Sequence, residues 1–413
     1  MITRDLQNIL AADFDRYDKM LFVAGPRQTG KTTLARMLME KRLSSRYWNY
    51  DIPEDRLLLT RKPSFFKEID RPRGVRPLVV FDELHKYRLW KAYLKGAFDD
   101  AHADFSFLVT GSGRLDLYRK GGDSLAGRYF LHRLFPLTIG ELATAPRRSL
   151  DEFLTAPDEL PAGGAASWDA WRALETLSGF PEPFNTGEES FYRRWSQTYR
   201  NQVIREDIRD LTHVHQVSRI ETLAALLRER VGGLLSTNAL REDLKTAFDT
   251  VKNWLEILQN FYLVFLLTPW RGSLARGLRK EPKLYFYDWA AVPDPAARFE
   301  NIVAVHLLRA VTAWTEAGAG EFSLHFVRDR EKSEVDFLLV RGKEPLVLIE
   351  AKLSETEPAP ALIKMKKALR IPAIQLVNVP GISRKAAGKG DGILIASADR
   401  WLAGLPGHGE AVS

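Results

Sequence analysis

The sequence predicts an α/β protein in three successive parts, and the periodicity of its apolar residues predicts each part. Over residues 1–145, short apolar runs of strand type alternate with stretches of helical period, the pattern of a parallel sheet covered by helices. Residues 146–290 open on a Pro/Gly/Ala stretch, Ala156 to Ala166, and are then helical in period. Residues 291–413 return to a helix, Arg298 to Trp314, followed by short strands and a tail expected to be loose after Gly404. The composition is that of an ordinary folded chain, 45% hydrophobic and 27% charged over 413 residues, long enough for several cores.

The first part is organised around Gly25-Pro26-Arg27-Gln28-Thr29-Gly30-Lys31-Thr32, which fits G-x-x-x-x-G-K-[ST]. Met20 to Ala24 before it reads as a buried strand, and the helical stretch opened by Thr33 follows it. Each residue type has a task. The glycines let the backbone wrap phosphates so that its N–H groups and the helix N-terminus face the negative charge. Lys31 reaches the outer phosphates, and the Thr32 hydroxyl is placed to ligate Mg²⁺. ATP and Mg²⁺ are therefore the expected ligands.

Leu78-Val79-Val80-Phe81-Asp82-Glu83 is an apolar run ending in two carboxylates. A buried parallel strand has this form, and its C-terminal end is where ligands sit in an open α/β sheet. Asp82 is expected to hold Mg²⁺ through water, and Glu83 to be the base that polarises the attacking water. A third strand, Phe105 to Thr110, ends in Gly111-Ser112-Gly113-Arg114. Ser112 is the first choice for orienting that water and Thr110 the second. Arg128, on the glycine-flanked stretch Gly127-Arg128, fits an arginine finger acting on a neighbouring subunit, with Arg114 competing for the role and a surface salt bridge as the alternative.

The stretches GPRQTGKTTLARML, VVFDELHKYRLWKAYLKGAFDD, FLVTGSGRLDLYRKGGDSLAGRYFLHRLFPLT and IEAKLSE, in this order, resemble a widespread group of prokaryotic AAA+-like, archaeal-ATPase-type proteins that end in a domain of unknown function, DUF4143. The resemblance implies a P-loop ATPase core with Lys31, Thr32, Asp82 and Glu83 in the roles given above. The pair Ser112-Gly113 departs from the small polar or alanine residue associated with the group there.

In the middle part, Ser236 caps a short helix to Leu244, and a longer helix from Phe248 to Gln259 carries Val251, Trp254, Leu255 and Leu258 at core spacing. Phe261 to Leu267 and Lys283 to Tyr287 then read as two strands, which gives the order of a winged helix-turn-helix. Thr250, Lys252 and Asn253 are its candidate groove-facing residues, with Arg271, Arg276 and Lys280 on phosphates. Such modules bind proteins about as often as DNA.

In the last part, Asp336 and Glu350-Ala351-Lys352 form D-x13-E-x-K, with Glu300 on the preceding helix. Val335 to Val340 and Leu346 to Lys352 flank Arg341-Gly342-Lys343-Glu344-Pro345 and read as an antiparallel hairpin. Pairing about residue 343 puts Asp336 opposite Glu350, and the two-residue period puts Lys352 on the same face. Opposed carboxylates repel unless a cation neutralises them, and Mg²⁺ held by Glu300, Asp336 and Glu350 is the expected one. The set resembles the PD-(D/E)xK nuclease-like superfamily, in which the acids hold metal for phosphodiester hydrolysis and the lysine orients the nucleophile.

The net charge of +7 suits a polyanionic partner such as DNA. The chain lacks cysteine, which excludes disulfides, thiolate catalysis and cysteine zinc sites. Its longest apolar runs, such as Phe261 to Pro269, are about half the length that spans a bilayer, and charges interrupt the N-terminal stretch, so a soluble cytoplasmic protein is expected. The functional expectation is a Mg²⁺-dependent ATPase that acts on DNA as a homo-oligomer, such as a hexameric ring, with a C-terminal part that binds or cleaves DNA. One alternative is a DNA-remodelling motor whose nuclease-like part only grips DNA. Another is an ATP-gated signalling or defence switch that acts on protein partners.

Overall fold

The computed structural model describes residues 2–112, 125–144, 147–160, 168–208, 217–272 and 281–407. They fall into two compact units, residues 3–135 with 260–262, and residues 136–259 with 263–413.

The first unit is a five-stranded parallel sheet of β1 (Met20–Ala24), β2 (Ser45–Asn49), β3 (Leu78–Asp82), β4 (Ser106–Gly111) and β5 (Tyr129–Arg133), in the order β2-β3-β4-β1-β5. The three central strands are buried along their whole length, as parallel strands with helices on both faces must be. The edge strands β2 and β5 are mixed in burial. Register places Asp82 beside Thr110 and Ala24 beside Gly111. The tip of β4 therefore lies between the phosphate-loop strand and the strand that carries Asp82. The helix Lys31–Glu40 follows β1 directly, entered through Gly30 in the left-handed conformation (φ 93°). Gly25 is also at positive φ, and a Cβ there would stand 2.2 Å from the Leu134 carbonyl oxygen, so only glycine fits.

The second unit combines helices with a six-stranded sheet of order β12-β13-β11-β10-β9-β8. These strands are β8 (Phe322–Arg328), β9 (Glu334–Arg341), β10 (Glu344–Lys352), β11 (Ala373–Val377), β12 (Ser383–Lys385) and β13 (Leu394–Ser397). The helix Pro295–Glu316 packs against β8 and β10. It starts with Asp294 accepting from the Ala297 N–H at 2.8 Å and Pro295 in the first turn, a standard N-terminal arrangement. The helical segment shares this core. Trp289 Nε1 donates to the Leu174 carbonyl at 2.7 Å, and Trp171 Nε1 to Asn378 Oδ1 at 2.7 Å. The tail expected to be loose after Gly404 is packed as far as Gly407, with the Pro406 carbonyl accepting from Trp314 Nε1 at 3.2 Å.

The helices Thr237–Asp243 and Phe248–Asn260 and the antiparallel pair β6 (Val264–Leu267) and β7 (Lys283–Phe286) occur in the expected order. Val251, Trp254, Leu255 and Leu258 are buried while Lys252 and Asn253 are exposed, as the period requires. The strand pair differs from a projecting wing in that all of β7 is buried. Arg276 and Lys280 lie outside the described residues. Among the described residues no helix is long and apolar enough to cross a membrane.

Candidate functional sites

The phosphate loop, β3 and β4 bring one polar cluster together. Asp82, buried at the end of β3, accepts from Thr32 Oγ1 at 2.7 Å and Tyr47 OH at 2.6 Å on one oxygen, and from Thr110 Oγ1 at 2.5 Å on the other. Burial and the Asp82 carboxylate push the Tyr47 hydroxyl well above its ordinary pKa, so it is a donor here. A hydroxyl and a carboxylate set side by side at a helix N-terminus are the donor set a hard divalent cation takes. Lys31 is buried and its Nζ donates to the carbonyls of Gly25 at 3.0 Å and Pro26 at 2.7 Å, inside the loop it would share with a phosphate. Thr29 Oγ1 donates to the Pro26 carbonyl at 2.8 Å, which braces the loop, and Gln28 takes a positive φ of 61°. Pro26 and Arg27 complete the loop, and Thr33 continues the helix.

Glu83 follows Asp82 in the left-handed conformation (φ 55°), which turns its side chain toward the tip of β4. Its carboxylate accepts from the Ser112 N–H at 3.2 Å and Ser112 Oγ at 3.3 Å, and pairs with Lys86 Nζ at 3.2 Å. Of the two candidates for orienting the water, Ser112 meets Glu83 and Thr110 meets Asp82. Arg128 forms a two-pronged pair with Asp99 of its own chain, Nε to Oδ1 at 2.6 Å and Nη2 to Oδ2 at 3.0 Å. Arg114 lies outside the described residues.

Two contributors were not apparent in the sequence. Buried Arg4 donates from Nη1 to the Thr29 carbonyl at 2.8 Å and from Nη2 to the Phe135 carbonyl at 2.6 Å, which ties the loop to the end of the sheet unit. Tyr47 is the other. No motif spacing marks either residue.

In the second unit, the β9–β10 hairpin has the expected register over its inner part, Phe337 opposite Ile349 and Leu339 opposite Val347, with a shift near Pro345. One step further, Asp336 and Glu350 meet: the Asp336 N–H donates to Glu350 Oε2 at 3.3 Å. Lys352 Nζ pairs with Glu350 Oε1 at 2.9 Å. Glu300 joins the same cluster.

A buried ammonium stands among these acids. Lys283 of β7 is buried, and its Nζ stands 3.2 Å from Glu300 Oε1, 2.9 Å from Glu334 Oε1 and 3.0 Å from Asp336 Oδ1. Several of these carboxylates take further donors. Asp336 Oδ2 takes the Ala351 N–H at 3.1 Å, Glu334 Oε2 takes Arg328 Nη1 at 3.0 Å, and Glu300 Oε1 also takes Tyr285 OH at 2.6 Å. Among the described residues no group of three or more His, Cys, Asp or Glu side chains is arranged to hold a metal ion. Two of the three expected Mg²⁺ ligands, Glu300 and Asp336, thus meet the Lys283 ammonium, and the third, Glu350, meets that of Lys352. Burial followed by Asp336 pushes the carboxyl of Glu350 up to about 8 and that of Glu300 up to about 7. For Lys283, burial alone would favour the neutral amine, but the three carboxylates outweigh it and hold the ammonium charged.

The sheet order and loop geometry of the first unit define a P-loop AAA+-like α/β core. Family comparison agrees: residues 17–143 match a family described as AAA domain, residues 169–293 a domain of unknown function (DUF8612), and residues 296–395 a domain of unknown function (DUF4143). The chain thus carries an AAA domain followed by a C-terminal DUF4143 domain. An uncharacterized protein of Mycobacterium tuberculosis is 25% identical over 269 residues, 65% of this chain and 54% of that one, so the chain spans about half the length of this relative. An uncharacterized protein of Methanocaldococcus jannaschii is 22% identical over 393 residues, 92% of this chain and 84% of that one. Among solved structures, the Aeropyrum pernix ORC1 protein in complex with DNA is similar at a TM-score of 0.29 and 16% identity, covering 72% of this chain and 90% of that one. Caenorhabditis elegans PCH-2 is similar at a TM-score of 0.26 and 15% identity, covering 61% and 68%.

Proposed function

We propose that the protein is an ATP hydrolase that acts on DNA, and that its C-terminal nuclease-like part holds DNA without cutting it. One observation carries the ATPase reading: Asp82 is held between Thr32 of the loop and Thr110 of β4, with the buried Lys31 ammonium in the same loop. In this reading Lys31 binds the outer phosphates and the backbone from Gly25 to Thr33 cradles them. Thr32 and Asp82 hold Mg²⁺, which supplies charge neutralisation at the phosphates when bound. Glu83 polarises water once it leaves Ser112 and Lys86. The present contacts keep its carboxylate engaged.

The DNA reading rests on the net charge of +7 and on the exposed Lys252 and Asn253 of the helix Phe248–Asn260. The binding-only reading of the nuclease-like part rests on Lys283, whose ammonium engages Glu300, Glu334 and Asp336 oxygens that a water-activating metal would draw on. The test is ATP turnover by wild type and Glu83→Gln, with and without single-stranded, duplex and branched DNA. Glu83→Gln is expected to bind ATP normally and to turn over about 10²–10⁴-fold more slowly, the usual worth of a general base. DNA is expected to raise the wild-type rate. Wild-type turnover by Glu83→Gln would remove the assignment of the base, and a rate indifferent to every DNA would remove the DNA reading.

A further inference from the structure

The basic segment that follows Tyr192 has no part in either site above. It runs through the helix Glu189–Asn201 into the π-helical turn Gln202–Ile208, and together with the helix Val217–Arg228 it walls a cavity of about 280 Å³. Seven consecutive residues in π conformation are uncommon, and such turns gather at functional sites because they widen the helix and re-aim its side chains. Here the turn brings Arg205 to the cavity that Arg200 and Arg228 line from the two helices.

Among the described residues the charges of the lining do not balance. Glu221 is the one acid among them, and Arg205 already claims both of its oxygens, Nε to Oε1 at 2.5 Å and Nη2 to Oε2 at 3.2 Å. Arg200 gives one N–H to Ser196 Oγ at 2.6 Å, and that hydroxyl is itself turned to the buried Asp288 at 2.8 Å. Burial and the neighbouring Arg228 disfavour the charged form of Arg200, with Asp288 opposing them. Arg228 Nε is buried without a hydrogen-bond partner among the described residues. A buried guanidinium N–H left unmade costs free energy, and two guanidiniums facing one space repel. Gln197 and Asn201 add amide groups to the same wall.

We propose that this cavity is a binding site for a phosphate group, carried by a free phosphate or a phosphomonoester. Guanidinium forks from two helices, with amide donors between them, need an anion with more acceptor oxygens than a carboxylate has, and phosphate offers them in several directions. The volume leaves room for a small organic portion beyond the phosphate. The site is separate from the P-loop and takes its ligand independently of Lys31.

The experiment uses the full chain carrying Lys31→Ala, so that the loop no longer binds phosphate. Calorimetric titration is made with inorganic phosphate, with AMP, and with a single-stranded oligonucleotide bearing either a 5′-phosphate or a 5′-hydroxyl. Saturable binding of inorganic phosphate is expected. Adding Arg228→Gln should weaken it about tenfold or more, as loss of a charge-assisted contact does, and Arg228→Lys should restore part of it. Tighter binding of AMP identifies a small phosphomonoester as the ligand class, and tighter binding of only the 5′-phosphorylated strand identifies a nucleic-acid end. If Arg228→Gln does not fold, Asn201→Asp, which sets a carboxylate against the same anion, must abolish uptake. Absence of binding with every probe, or equal binding by the folded Arg228 or Asn201 variants, overturns the proposal.

Discussion

Lys283 and Asp336 come from strands far apart in the chain, yet the ammonium of one lies 3.0 Å from the carboxylate of the other, with both side chains largely out of water. Glu300 and Glu334 complete a three-acid shell around the same nitrogen. The ammonium is a single positive charge with three donors, and the shell gives it three acceptors. It is thereby matched to its site in number as well as sign.

Removing that ammonium should leave mutually repelling carboxylates in a poorly solvated place. Lys283→Gln is expected to lose about 3–5 kcal/mol of stability, the usual result of breaking a buried ionic set by deleting one partner. The loss should be partly reversed by millimolar Mn²⁺, because the acids then have a reason to take a metal. The melting temperature of wild type without nucleotide should be indifferent to Mn²⁺. Melts of the two proteins with and without Mn²⁺ decide the matter. A wild-type stabilisation by Mn²⁺ that Asp336→Asn abolishes would show that Lys283 does not exclude the metal.

The Arg128–Asp99 pair gives the finger hypothesis a structural condition. Asp99 is held below its ordinary carboxylate range chiefly by its bond to Arg128, so the guanidinium is engaged within its own chain. A finger on a neighbouring subunit has to leave that partner. Arg128→Ala is then expected to cut ATP turnover roughly 10³-fold with nucleotide affinity retained. Asp99→Ala, which frees the arginine, should keep or raise the rate. Mixing Arg128→Ala with Lys31→Ala should restore part of the activity across subunit interfaces. Equal, small losses from Arg128→Ala and Asp99→Ala, with an inactive mixture, would make the pair a surface tie and nothing more.

The parts legible in the sequence are those written in local order. The glycine spacing around Lys31, the apolar run into Asp82 and Glu83, and the two-residue period on either side of Gly342 each report a neighbourhood a few residues wide, and each has the geometry its pattern implies. The edge strands Ser45–Asn49 and Tyr129–Arg133 carry no continuous apolar run, because one side of an edge strand meets water, and they are not separable from loops by pattern. Arg4 and Tyr47 reach their partners only through the fold. Lys283 left only a weak sign: a lysine opening the otherwise apolar strand Lys283–Phe286 is rarely buried unless paired, which implies an acidic partner without naming it. Which acids it would meet depends on how β7 lies against β9, and no spacing encodes that.

The same cluster sets a pH dependence whose sign follows from burial. Glu350, pushed up to about 8 by burial and then by Asp336, and Glu300, pushed up to about 7 by the same causes, hold their protons more tightly in the folded chain than in the unfolded one, where a glutamate titrates near 4.5. Between those values the folded state binds more protons, so stability falls as pH rises. The contribution of these two groups is complete below about pH 4.5 and is lost as pH climbs through about 7 and 8. Glu350→Gln, neutral at every pH, should remove its share. The melting temperature of the variant relative to wild type is expected to rise steadily from about pH 5 to about pH 9. Wild-type and variant curves that run parallel over that range would mean that Glu350 is already ionised at neutral pH, with Lys352 Nζ, 2.9 Å away, holding the charge.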